Sequence, residues 1–176
     1  NKLIIKIDPG IAFGTGSHPT TRLCLEALEL LGISDNSVVD IGSGSGILSI
    51  ASLRLGAEKV LAIDNDSLAI SSTISNALLN GYNEHKLIAK LGSVDVAKHF
   101  LKENKADILL CNILAPVIKD LAPGFRNLIK AKGKALLSGF LVSQVPSIEN
   151  CLEKFGWKIT NLTIKNEWCL LEAHKL

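Results

Sequence analysis

The chain has no methionine, no C-x-x-C pair and no apolar run long enough to cross a bilayer. Each absence removes a class of reading. The longest apolar run, Ile108 to Ile118, is interrupted by Asn112 and falls short of the ~18 residues a membrane span needs. Cys24, Cys111, Cys151 and Cys169 are scattered, and His18, His85, His99 and His174 supply no ligand spacing, so no metal site is expected. Cys24 and Cys111 fall inside apolar patterns, which suits buried thiols in a reducing compartment better than disulfides. The start of the chain carries no secretory pattern. A net charge of +2 is too small to argue for nucleic acid or a membrane surface. The missing methionine, absent even at the first position, suggests an excised or processed piece of a longer chain. What is present suits one soluble folded domain over residues 1–176: 47% of residues are hydrophobic and the mean hydropathy is +0.31.

Periodicity along the chain predicts strands alternating with helices. A helical stripe (Leu23, Ala27, Leu30) runs from Pro19 to Leu31, with Pro19 in its first turn and Gly32 as its stop. Strand patterns follow at Ser37–Ile41, Lys59–Ile63, Lys86–Leu91, Ala106–Cys111 and Lys134–Ser138. Between them, helices are expected at Gly46–Leu55, Ser67–Asn80, Val94–Glu103 and Pro116–Ala131, the last broken at Pro123-Gly124, and a further helix at Ser143–Phe155. Crossovers of this length imply a parallel sheet covered on both faces. The end departs from that rhythm. Trp157–Ile164 and Trp168–His174 are separated only by Lys165-Asn166-Glu167, a link that permits a hairpin and no parallel crossover.

The most informative stretch is Asp40-Ile41-Gly42-Ser43-Gly44-Ser45-Gly46, a strand running into a glycine turn and then a helix. Such a turn brings backbone close to a ligand, and the helix start offers free N–H groups. A nicotinamide fingerprint would need a third glycine at 47, where this chain has Ile47. A ligand is expected beyond the carboxyl ends of the central strands, at the reversal of strand order. Three polar residues follow strands there. Asp64 lies 22 residues beyond Gly42, the spacing of an acid that accepts from ribose hydroxyls, although it or Asp66 also suits capping the next helix, Asp66 better. Asn112 interrupts an apolar run and is either a satisfied turn residue or an acceptor for an incoming amine. Ser93 is a weaker candidate for an adenine pocket.

The spacing G-x-G-x-G after an acid resembles the first motif of class I S-adenosylmethionine-dependent methyltransferases. A second stretch narrows the resemblance. Phe13-Gly14-Thr15-Gly16-Ser17-His18-Pro19-Thr20-Thr21, joined to the glycine turn, is similar to the family that methylates large-subunit ribosomal protein eleven. Asn112-Ile113-Leu114-Ala115, Leu137-Ser138-Gly139 followed by Gln144, and Glu167-Trp168-Cys169 match in family order across the chain. The resemblance implies an α/β, Rossmann-like class I methyltransferase domain, with a mostly parallel seven-stranded sheet ending in an antiparallel hairpin. It implies S-adenosyl-L-methionine as cofactor, held at its methionine end by Thr21 with His18 nearby, at the turn by Gly42 and Gly44, and at the ribose by Asp64. Asn112 would stand beside the transferred methyl as the catalytic amide. The implied activity is methylation of lysine ε-amines and an N-terminal α-amine on ribosomal protein eleven, in the cytoplasm of a bacterium or an organelle. Ser43 stands where many members carry Cys, and the family's substrate-recognition domain would precede this region. The same fold acting on a small molecule or RNA, or a non-catalytic cofactor-binding module, are the competing readings.

Overall fold

Among the described residues, seven strands and six α-helices are threaded in the order the periodicity predicts. The structure, a computed structural model, describes residues 3–8 and 16–176. Helix α1 (Pro19–Leu31) ends at Gly32, whose φ of 64° turns the chain. It is followed by β1 (Ser37–Ile41), α2 (Ile47–Arg54), β2 (Lys59–Asp64), α3 (Ser67–Leu79), β3 (Leu87–Leu91), α4 (Val94–Leu101) and β4 (Ala106–Asn112). Then come α5 (Ala115–Leu128), β5 (Ile129–Leu141), a single 3-10 turn, α6 (Val145–Lys154), β6 (Trp157–Lys165) and β7 (Trp168–Lys175). The sheet order is β3-β2-β1-β4-β5-β7-β6. Strands β1 to β5 pair in parallel, and β7 lies antiparallel between β5 and β6. The terminal hairpin is therefore inserted with its second strand against the parallel sheet.

Alternation within the central strands builds two cores, because successive side chains point to opposite faces. Val39, Ile41, Leu109 and Cys111 pack on one face with α4, α5 and α6. Val38, Ile108 and Leu110 pack on the other, with Leu23, Leu28, Ile50 and Ala77 from α1, α2 and α3. All five residues of β1 are buried, as a strand covered on both faces requires.

One expectation fails. The helix does not break at Pro123-Gly124; α5 runs through both residues and ends at Leu128, so β5 begins five residues earlier than the sequence pattern suggests. Proline in a helix interior costs about 3 kcal/mol by removing an N–H and crowding the preceding turn. Tertiary packing offsets this: Ile118, Ala122, Phe125 and Leu128 are fully buried along one stripe. The Lys119 carbonyl, the one Pro123 cannot bond, instead accepts from the Cys151 thiol of α6 at 3.8 Å. Gly124 is there for space, since a Cβ on it would sit 2.3 Å from Val94 Cγ1 on α4. The residues that read as punctuation thus fit one helix closely between two others.

Among the described residues, no helix is long and apolar enough to cross a membrane.

Candidate functional site

Strand register brings three candidate residues to one level. Ile41 of β1 is aligned with Ile63 of β2 and with Cys111 of β4. The next residues along the three strands are Gly42, Asp64 and Asn112. They stand side by side at the carboxyl ends of the sheet, where the strand order reverses between β1 and β4. That is the crevice in which open α/β sheets bind ligands.

Gly42 (φ 82°) opens the turn, and its N–H donates to the Ile63 carbonyl at 2.8 Å. A Cβ here would come within 2.4 Å of Ile113 Cγ2. From the other side, Gly139 (φ 94°) approaches the same residue so closely that a Cβ would lie 2.4 Å from the Ile113 carbonyl oxygen. The backbone leaving β4 after Asn112 is thus clamped between two glycines. Gly139 is also where the β5–β7 pairing shifts register, between Ser138 and Phe140.

Asp64 organises the turn from β2. Its Oδ2 accepts from the Gly44 N–H at 2.9 Å and its Oδ1 from the Asp66 N–H at 3.0 Å. A carboxylate has about four lone-pair sites, so these two bonds leave acceptor capacity for hydroxyl donors. Helix capping falls to Asp66, whose Oδ1 accepts from the Leu68 N–H at 2.9 Å. Ser93 is the N-cap of α4, with no side-chain capping bond.

Asn112 supplies the most telling atom. Its Nδ2 lies 3.5 Å from the Thr21 hydroxyl, while its Oδ1 is buried and, among the described residues, has no hydrogen-bond partner. A buried carbonyl oxygen left in that state costs free energy unless a donor reaches it. Thr21 is itself buried in the first turn of α1. His18 is that helix's N-cap: its Nδ1 accepts from the Thr20 N–H at 3.3 Å, and its ring meets Trp168 edge-on with centroids 4.7 Å apart. The structure therefore brings Thr21, Gly42, Gly44, Asp64 and Asn112 together. His18 stands at the start of α1 as an exposed cap. Residues 9–15, which include Phe13, Gly14 and Thr15 of the loop motif, lie outside the described residues.

Several neighbours carry no signal in the sequence reading beyond motif membership. Asp40 is 1% exposed and accepts from Ser49 Oγ at 2.6 Å. Burial pushes its carboxyl up to about 6; the Ser49 hydrogen bond opposes the rise, and the Asp64 charge adds to it. Burial likewise pushes the Cys24 and Cys111 thiols up, with the charge of Asp40 reinforcing it, so neither is a ready nucleophile. Thr73 and Asn76 of α3 hold the turn: Thr73 Oγ1 donates to the Gly44 carbonyl at 3.1 Å and Asn76 Nδ2 to the Ser45 carbonyl at 2.9 Å. Thr73 and Asn76 are buried within α3 beside Ala69 and Ala77, and the C-cap Asn80 is buried as well, so these polar side chains stand where the helix faces the core.

Comparison with known proteins decides the family. The profile for Ribosomal protein L11 methyltransferase (PrmA) matches residues 1–176. The chain belongs to this family. A curated relative of that name from Parasynechococcus marenigrum is 52% identical over 174 residues, covering 99% of this chain and 60% of the relative. The chain thus spans about 60% of the length of such relatives. The crystal structure of ribosomal protein L11 methylase from Lactobacillus delbrueckii subsp. bulgaricus superposes with a TM-score of 0.87 at 32% identity, over 98% of this chain and 86% of that one. SMU.776, a putative methyltransferase complexed with SAH, shares the fold at 12% identity, with a TM-score of 0.73 over 90% of this chain and 50% of its own. The Rossmann-like methyltransferase architecture follows from these superpositions and from the sheet order.

Proposed function

We propose that this chain is the S-adenosylmethionine-binding part of an enzyme that methylates amino groups of ribosomal protein L11, both lysine ε-amines and the N-terminal α-amine, in the cytoplasm. The observation that carries the reading is the buried Asn112 Oδ1, without a partner among the described residues, beside a glycine turn where a Cβ on Gly42 would strike Ile113. The residues fit the cofactor. Gly42 turns the chain at the mouth of the crevice, Asp64 has acceptor sites left for a ribose diol, and Thr21 and Asn112 border the same crevice. When bound, S-adenosylmethionine supplies a methyl group already activated on a sulfonium centre.

The protein's share of the chemistry is then placement and protonation. Asn112 Oδ1 accepts a hydrogen bond from the amine and points its lone pair toward the crevice. An ammonium has no lone pair to donate, so the site must favour the neutral form. A low-dielectric surrounding does so, and an amide oxygen stabilises the cation less than a carboxylate would. The in-line approach is set by geometry, which lowers the barrier without a nucleophile–base pair.

Calorimetry with S-adenosylmethionine on this chain tests the reading. Asp64→Ala removes acceptors to hydroxyl donors and is expected to weaken binding about ten- to hundred-fold. Equal affinities remove Asp64 from the site. Labelled methyl transfer to L11, RNA or a small amine distinguishes the protein substrate from the competing readings; label in RNA alone refutes the protein-amine assignment.

A further inference from the structure

Residues 3–8 run beside α3 with no strand neighbour among the described residues, yet backbone groups of Lys6 and Asp8 are hydrogen-bonded. Two asparagine side chains, one helical turn apart, take the place of a neighbouring strand. Asn80 Oδ1 accepts from the Lys6 N–H at 2.9 Å, and its Nδ2 donates to the Lys6 carbonyl at 2.7 Å. Asn76 Oδ1 accepts from the Asp8 N–H at 2.9 Å. The i, i+4 spacing puts both amides on one face of the helix, matched to alternate residues of an extended chain. Ile5 and Ile7, the residues between, pack on the α1–α3 core.

The two amides differ in what else they hold. Asn80 Nδ2 also bonds back to the Asn76 carbonyl of its own helix at 2.7 Å. Asn76, 1% exposed, sends its Nδ2 across to the Ser45 carbonyl of the glycine turn at 2.9 Å. One buried amide therefore joins two parts of the chain that are separate in sequence: the segment feeding the loop motif and the turn beside Asp64. A buried amide is tolerated only when its donor and acceptor are both engaged. Within its own helix Asn76 Nδ2 reaches only the Ser72 hydroxyl, at 3.4 Å, so the amide makes its two short bonds, to Asp8 and to Ser45, only with segment and turn both in place.

We propose that Asn76 is a positioning residue that couples the Leu3–Asp8 segment to the glycine turn, so that filling the cofactor crevice tightens the segment. The inference rests on the cofactor reading above. Amide hydrogen exchange at Lys6 and Asp8, with and without S-adenosylhomocysteine, tests it on the unaltered chain. Exchange at Asp8 slows when the ligand is added; no change overturns the coupling, and this result does not depend on any variant folding. Calorimetry on variants then separates the two amides. Asn76→Ala is expected to lose about tenfold in affinity, equivalent to about 1.4 kcal/mol, and to abolish the slowing at Asp8. Asn80→Ala frees Lys6 while leaving affinity within about threefold. Asn76→Asp keeps an acceptor for Asp8 but cannot donate to Ser45, and follows Asn76→Ala in affinity. Equal affinity losses in Asn76→Ala and Asn80→Ala, or none in Asn76→Ala, overturn the proposal. Failure of the unaltered chain to bind at all overturns the cofactor reading itself, and the coupling with it.

Discussion

Replacing Gly42 by alanine tests whether the glycine turn and the Asn112 segment are mechanically one unit. Two costs add at this position. A φ of 82° places an L-residue in the left-handed region, at roughly 1–2 kcal/mol. The added Cβ would also lie 2.4 Å from Ile113 Cγ2, an overpacking that costs about 1–3 kcal/mol to relieve. The sum is about 2–5 kcal/mol, and its two parts separate in a double-mutant cycle. Ile113→Ala removes the Cγ2 methyl, so Gly42→Ala in that background retains only the backbone cost. The coupling energy between the two sites is therefore expected at about 1–3 kcal/mol, with the pair less destabilised than the sum of the single changes. Urea unfolding of the four proteins measures it. Because Ile113 directly follows Asn112, the single change Gly42→Ala should also shift the Asn112 amide and reduce methyl transfer, and Ile113→Ala should partly restore it. Strict additivity in stability would refute the idea that these residues meet as described.

Three further predictions follow from the site. Asp40 has a folded value near 6 against 3.8 for the free side chain, so the native state binds its proton more tightly than the unfolded chain does. Its contribution is full below about pH 3.8 and is lost as pH rises through 6, a change of about 3 kcal/mol. Asp40→Asn is expected to erase that slope and gain on the unaltered chain between pH 4 and 7 in chemical unfolding; a difference that does not vary with pH over that range contradicts the assignment. Asn112→Ala should lower turnover about ten- to hundred-fold while changing cofactor affinity little, since its free oxygen meets the amine. For a lysine substrate with a pKa of about 10.4, the rate at subsaturating substrate should rise close to tenfold per pH unit from 7 to 9, and a flat profile with methyl transfer rate-limiting would exclude a free lysine nucleophile.

Local pattern determined a great deal here. The alternation of strands and helices, the glycine turn, the acid that ends β2 and the amide that ends β4 are all legible because each depends on residues close in sequence: hydrophobic period, turn chemistry and caps. The loop motif and its companions fixed the family for the same reason. What only the tertiary structure decided are the contacts between distant segments. Pro123 and Gly124 look like a helix break, yet burial of Phe125 and Leu128 and the close approach of Val94 keep α5 continuous. Gly139 reads as an ordinary glycine until the backbone of Ile113 is seen against it. Asn76 and Asn80 are polar residues on a buried stripe, and their partners at Lys6, Asp8 and Ser45 lie 31 to 74 residues away. A periodic pattern records which way a side chain faces. It does not record what that side chain meets there, and in this site the meeting partners set the turn, the amide and the segment that leads into them.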